Sequence, residues 1–295
     1  MSNRSLGSTI ILAAVVALLS LAPVPVAGQA PAAAKTWTPP RTLDGQPDIQ
    51  GVWNNGMGGQ YDVEGILGEV NDLLNVPADP FIIPRVRTQP DQSLVVDPAD
   101  GKIPYQPWAL AKKNDNFANH LKPPTRQYLD GRTLCRLPGA PRDVYSGAAE
   151  AGVVRQIIQT PGYVVMTIEF VHAFRIIPLD GRPHVGENIQ LWQGDSRGRW
   201  EGNTLVVDVT NSNGKWLDVS GDFHSDALRV VERWTFVDND TLGLEVTMED
   251  PKVYTRPWKM AFRFTRNKEK DYEVMEYACV EGERDAQLML QSTGK

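Results

Sequence analysis

The sequence predicts a mainly β fold, an antiparallel up-and-down barrel of the lipocalin-like kind, with a β-sandwich as the alternative. Three observations carry that prediction. Apolar residues alternate strictly along several segments after residue 153. Leu228, Val230, Glu232, Trp234 and Phe236 share one face, as do Leu242, Leu244, Val246 and Met248, and then Trp258, Met260, Phe262 and Phe264. A period of two is the mark of a strand with one buried face. Turn residues separate these runs at short range: Asp180-Gly181, Gly202-Asn203 and Asp238-Asn239-Asp240. Strands joined by such turns pair as antiparallel neighbours. Seven or eight one-faced strands must also close on themselves or pack on something else, and closure removes the exposed edges.

The chain begins with Arg4, an apolar run over residues 10–19 extended by 21–26, and the small residues Ala27 and Gly28. A basic start, a short apolar middle and a small-residue end predict a secretory signal over residues 1–30, cleaved after Ala27 or Gly28. The run is too short and too interrupted by proline for a span of about 20 apolar residues, so no stable membrane insertion is expected after cleavage. Residues 31–46 are expected to be a flexible tether and residues 47–290 one β-rich domain. Within it, residues 47–147 are punctuated by proline and read as a loop-rich wrap, and residues 148–290 as the strand meander. Pro107 suits a first helical turn, which predicts a helix over residues 107–121. A second short helix is expected over residues 62–74, and a last strand over residues 272–279. Residues 170–173 either continue one long strand or form a tight turn between two.

Net charge is −6, with no basic face and no basic amphipathic stretch, so a nucleic-acid partner is not expected. The expected partner is a small molecule. Eight tryptophans are available for the core and for a binding cleft. No His-x-x-x-His, Cys-x-x-Cys, Gly-x-Ser-x-Gly or phosphate-loop motif occurs, so no metal or other cofactor is expected. An even count of two cysteines, Cys135 and Cys279, is consistent with one disulfide in an oxidising compartment, or with two buried thiols.

Gly51-Val52-Trp53 resembles the Gly-x-Trp opening of lipocalin barrels. A longer set of phrases begins at Pro47 (PDIQGVW), Pro104 (PYQPW), Cys135, Gln159 (QTPGY), Ile177 (IPLDGRPH), Gly194 (GDSRGRWEG), Trp216, His224 (HSDAL), Asp250 (DPKVYTRPW) and Glu276 (EYAC). On these, residues 47–283 resemble a family of secreted bacterial proteins frequent in soil and marine bacteria. The resemblance implies export to the periplasm or beyond and a Cys135–Cys279 disulfide; it supplies no reaction. One departure stands out: members often carry His directly after the last Cys, where this chain has Val280.

The candidate catalytic residues are Glu169, His172, Asp218, His224 and Glu232. Glu169 interrupts an apolar strand and lies three residues before His172, so a tight turn would bring the two together as an acid–base pair. Otherwise Glu169 pairs with Arg175. Glu232 sits on an apolar face and needs a partner or a task, and Arg175 or Arg263 would pair it. The loop over residues 216–226 is the densest polar cluster. There Asp218 or Asp222 beside His224 would make an orienter–base pair, or the loop closes its own backbone through Asx and Ser turns. Trp53, Arg175, Arg182, Trp192, Trp216 and Phe223 are the candidate ligand contacts. Arg182 would grip a carboxylate or pair with a neighbouring Asp. Two functions follow. The first is an exported acid/base enzyme, a lyase, hydratase, isomerase or hydrolase, acting on a small cyclic or sugar-like substrate. The second is a noncatalytic lipocalin-like binding protein for a small hydrophobic ligand.

Overall fold

The computed structural model describes residues 37–55, 63–64, 93–131, 133–145, 154–169, 171, 173–276 and 285–291. The expected signal lies outside them, as do His172, Cys279 and most of the stretch expected to form a second helix. The account below concerns one compact unit, Thr38–Lys295.

Two short strands come first, β1 (Gly51–Asn55) and β2 (Val95–Asp97), followed by helices α1 (Pro107–Asn119) and α2 (Arg142–Tyr145). Three strands then run as consecutive hairpins: β3 (Val154–Thr160), β4 (Tyr163–Ile168) and β5 (Ala173–Pro178). The next hairpin is β6 (Asp195–Glu201) with β7 (Thr204–Thr210), and a separate two-stranded ribbon joins β8 (Lys215–Trp216) to β9 (Phe223–His224). The last strands are β10 (Arg229–Asp238), β11 (Thr241–Glu249) and β12 (Trp258–Arg266), and a short helix α3 (Asp285–Gln291) ends the described chain.

The strand order is β5-β4-β3-β1-β12-β11-β10-β7-β6, antiparallel throughout, with β2 added beside β12. The two end strands come together without a hydrogen-bonded ladder, so the barrel is nearly closed. Side chains seal the seam. Arg175 Nη2 on β5 donates to Ser196 Oγ on β6 at 3.1 Å. Gly198 on β6 leaves room for Ile177 and Leu179, which would lie 2.7 and 2.6 Å from a Cβ at that position. Glycine in a strand interior commonly marks such a close approach.

The predicted faces are the buried ones. Val230, Glu232, Trp234 and Phe236 point inward, facing Val246, Leu244 and Leu242 across the β10–β11 register. Met260, Phe262 and Phe264 of β12 continue the layer, with the Trp234 and Phe264 rings stacked 5.2 Å apart. The helix predicted from Pro107 is present, with Pro107 in its first turn and Ala109, Lys113 and Asn116 buried. The 4- and 3-residue steps between those buried positions define one helical face.

Three expectations are corrected. The segment expected to be a loop-rich wrap also contributes β1, which is a central strand between β3 and β12. Residues 272–276, the described part of the segment expected to form a last strand, are not a strand; they cover the β4–β5 corner instead, where Tyr272 OH and Met275 N donate to Glu169. Trp53 is not a cleft wall. It is fully buried, donates from Nε1 to Ile49 O at 2.9 Å, and lies under the Arg266 guanidinium at 4.2 Å.

Candidate functional site

Ile168 and Ala173 pair directly across the β4–β5 hairpin, and Glu169 is a turn residue. Val171 adopts φ +51° there, a strained value for a β-branched residue. Glu169 is buried but turned to the chain's end: its Oε1 accepts from Met275 N at 2.7 Å and from Tyr272 OH at 3.2 Å. The expected ion pair with Arg175 is therefore not made. A carboxylate at a hairpin corner meets the covering segment before it can reach along the strand.

Arg175 belongs to Glu232 instead. Arg175 Nη1 lies 2.9 and 3.1 Å from the two Glu232 oxygens, and Trp234 Nε1 donates to Glu232 Oε2 at 3.1 Å. Asp143 on α2 stands 3.7 Å from Arg175 Nε, and Arg155 on β3 completes the set, its guanidinium 4.1 Å over the Phe264 ring. All four charged groups are buried. Burial opposes the Arg175 charge, but Glu232 and Asp143 more than offset it and hold its pKa above the ordinary value. Burial pushes Arg155 down to about 9 and raises the Asp143 carboxyl. Two cations and two carboxyl groups thus balance inside the barrel. Of the candidate pairings, Arg263 makes none with Glu232; it is exposed on the outer face.

The loop after β8 closes on itself. Asp218 Oδ1 accepts from Ser220 N, Ser220 Oγ and Asp222 N at 3.0, 2.8 and 3.2 Å, and Oδ2 accepts from Val63 N at 2.8 Å. Ser220 Oγ is also 2.9 Å from Asp222 Oδ2. A hydroxyl has one proton and cannot donate to two carboxylates at once. A proton shared within the pair resolves this, and it is favoured on Asp222: burial, and Asp218 beside it, raise its pKa well above the usual range against the opposing Lys113. The other Asp222 oxygen accepts from Tyr105 OH at 2.9 Å, and Lys113 Nζ lies 3.8 Å away. His224 takes no part. Its Nδ1 donates to Ser225 O at 2.8 Å, and burial lowers its pKa to about 4, so the imidazole is neutral at pH 7. The expected Asp–His pair is thus absent, because each partner is satisfied by local backbone or by Ser220.

Phe223 stacks on Tyr105 with ring centroids 6.0 Å apart and meets the edge of Trp108. Arg182 is held in its own turn by Asp180, with Nε at 2.9 and 2.8 Å from the two carboxylate oxygens, and by Tyr163 OH at 3.0 Å. Both are set apart from the feature described next. Among the described residues no group of three or more His, Cys, Asp or Glu side chains could hold a metal ion.

Trp192 and Trp216 do come together. They line a pocket of about 220 Å³ with Arg126, Arg136, Arg142 and Lys215, and among the described residues no acidic one lines it. The segment before α2 forms one wall, turned by Arg136 N donating to Gly131 O at 2.9 Å. The β8–β9 ribbon forms another, carrying Lys215 and Trp216. Arg142, the first residue of α2, is fixed by Asp130 at 2.6 Å and by Trp216 O at 3.2 Å. Lys215 Nζ donates to Trp192 O and lies 5.4 Å over the Trp192 ring, and Arg136 stands over the same ring at 5.4 Å. Burial pushes the Lys215 ammonium down to about 8, offset in part by Asp143. Gly139, at φ +70°, makes this junction feasible, since a Cβ there would stand 2.3 Å from Trp192 O and 2.4 Å from Lys215 Nζ.

Arg126, Arg136, Arg142, Lys215 and Asp143 were not among the sequence candidates. Their signal was faint: a proline-rich segment with scattered cations carries no period. Cys135, beside Arg136, is not a free thiol; its expected partner Cys279 lies outside the described residues.

The class defined by strand order and pocket is a nearly closed antiparallel β-barrel with a small cationic, aromatic-walled pocket. No protein-family model matches the chain, and no curated protein matches it. Among solved structures it is similar to the fluorescent protein UnaG. The wild type has a TM-score of 0.25 and 16% identity, covering 46% of this chain and 88% of that one. Two single-residue mutants of UnaG each score 0.26, at 15% and 17% identity, covering 52% of this chain and 89% of theirs. The fold assignment rests on the chain's own strand order and register.

Proposed function

We propose that this is an exported binding protein for a small molecule, with no chemical step of its own, and that the ligand sits between Trp192 and Trp216. The observation that carries this reading is the contrast between the two sets of candidate residues. Two tryptophans expected to contact ligand share one pocket. Glu169, Asp218, His224 and Glu232 are instead each engaged with different partners: the 272–275 segment, the 218–222 loop, Ser225 O and Arg175. Acid–base catalysis needs its groups converging on one reacting atom. A carrier needs only a walled pocket with a few placed polar groups.

Export and the Cys135–Cys279 disulfide belong to the same reading. The mature chain is expected to begin at Gly28 or Gln29, and intact protein should resist thiol alkylation until reduced. Binding is tested by tryptophan fluorescence and thermal shift against a fragment library. The expected result is saturable quenching that Trp192→Ala and Trp216→Ala each weaken at least tenfold, with every bound compound recovered unchanged. Recovery of a converted product, at a rate abolished by His224→Ala, would restore the enzyme reading; quenching unaffected by either tryptophan variant would move the ligand elsewhere.

A further inference from the structure

We infer that the molecule taken by this pocket is a small aromatic carboxylate, held at its anionic end by Arg136 and Lys215 and along its ring by Trp192; this rests on the binding reading above.

The charge of the pocket is the first support. The protein carries a net charge of −6, yet among the described residues four cations and no acid line this cavity. Clustered like charges repel, and a bound counter-charge relieves the repulsion. Arg142 has its counter-charge in Asp130. Arg136 and Lys215 do not: among the described residues neither has a carboxylate within ion-pair distance, and Lys215 Nζ rests on a backbone carbonyl. Both are nevertheless held against one indole at 5.4 Å. An anion entering beside Trp192 would meet two donors already oriented by that ring and by Trp192 O.

The behaviour of Lys215 agrees. A largely buried ammonium whose pKa has fallen to about 8 lacks a partner strong enough to hold its proton. The groups around it are Arg142 and Asp143 on α2, Arg136 across the pocket and His224 opposite it on the ribbon. Of these only Asp143 is anionic, and its stated ion-pair contact is with Arg175 inside the barrel.

Size and surface set the rest. A cavity of about 220 Å³ is smaller than the roughly 300–1,000 Å³ that drug-sized ligands fill, so one ring or two fused rings fit and a long acyl chain does not. Two indoles in the wall favour a flat π-faced molecule, and a guanidinium matches a carboxylate in a planar fork.

The test uses the full mature chain and a panel of one- and two-ring aromatic carboxylates, beginning with benzoate, each beside its carboxamide and its aminomethyl cation. Isothermal titration should show the best carboxylates binding at least tenfold tighter than their carboxamides, with no binding of the cations. Arg136→Met, on an exposed side chain, should remove most of that carboxylate-over-carboxamide preference, and Lys215→Met should do the same in a protein that remains folded. If no carboxylate outbinds its carboxamide, or if Arg136→Met leaves the preference intact in a folded protein, the anion assignment is overturned while small-molecule binding stands. If neither this panel nor the general fragment library binds at all, the binding reading itself falls.

Discussion

Glu232→Leu removes one carboxylate from a site where every charge is buried. Arg175 would keep only Asp143, at 3.7 Å from Nε, and the Ser196 hydroxyl. The interior would change from two cations and two carboxyl groups to an excess of one cation. Removing one partner of a buried pair costs about 3–5 kcal/mol, because the remaining charge is left unsolvated. Arg175→Met should cost a similar amount, since Glu232 would retain only Trp234 Nε1. The double variant Arg175→Met/Glu232→Leu restores charge balance, with Arg155 and Asp143 remaining. Replacement of both partners by apolar groups of similar volume is near neutral in comparable sites. The double variant should therefore lose at least about 3 kcal/mol less than the sum of the two single losses. Urea unfolding of the four proteins at pH 7, followed by tryptophan fluorescence, measures the cycle. Additive losses, or a single variant within about 1 kcal/mol of wild type, would refute the reasoning that the pair is held by mutual charge compensation in a dry interior.

Other perturbations test the remaining parts. Asp222→Asn should be tolerated within about 1 kcal/mol, because an amide reproduces a protonated carboxyl that donates to Ser220 and accepts from Tyr105; Asp218→Asn should lose about 2–3 kcal/mol, since both of its oxygens accept and an amide nitrogen would face donors. Gly198→Ala puts a Cβ 2.6 Å from Leu179 and 2.7 Å from Ile177, so a loss of about 1–3 kcal/mol and a lower melting temperature are expected. His224 titrates near 6.5 when unfolded and near 4 when folded, so between these values the unfolded chain binds the extra proton and stability falls as the pH falls. Wild type should therefore lose roughly 3 kcal/mol more than His224→Gln between pH 7 and pH 4, read from paired urea midpoints. An unchanged gap between the two would remove His224 from the acid limb.

The strands were legible because burial on one face writes a period of two into the sequence. Phe236, Leu244 and Phe262 could be placed before any coordinate existed, and so could the turns at Gly202 and Asn239. The place of β1 was not legible. Gly51–Asn55 reads like any short apolar stretch among prolines, and its partners lie about 100 residues away in β3 and more than 200 away in β12. Only the closure of the whole sheet selects that pairing. Residues 272–276 read as strand from their β-forming residues, but the segment's polar contacts go to Glu169 at a hairpin corner, which nothing in its own sequence marks. The polar residues behaved similarly. Arg175 and Glu232 could be matched because each was a lone charge on an apolar face. Glu169 was drawn to Arg175 by parity along one strand, whereas the structure resolved it by a hairpin corner and a covering segment.

Helix α2 shows why the pocket escaped a reading built on strands. Its first two residues face different surroundings: Arg142 lines the pocket and Asp143 joins the barrel's interior charges. Inside, each arginine has carboxyl groups nearby, which is the arrangement a protein must adopt when water is excluded. In the pocket, Arg136 and Lys215 have no carboxylate within ion-pair distance among the described residues, although Asp130 and Asp143 stand close behind. Water reaches the exposed Arg136, so this pocket does not force pairing as the dry interior does. The pocket and the interior differ in what completes them: the interior is balanced by its own chain, and the cations at Trp192 are placed to be balanced by something that enters from outside.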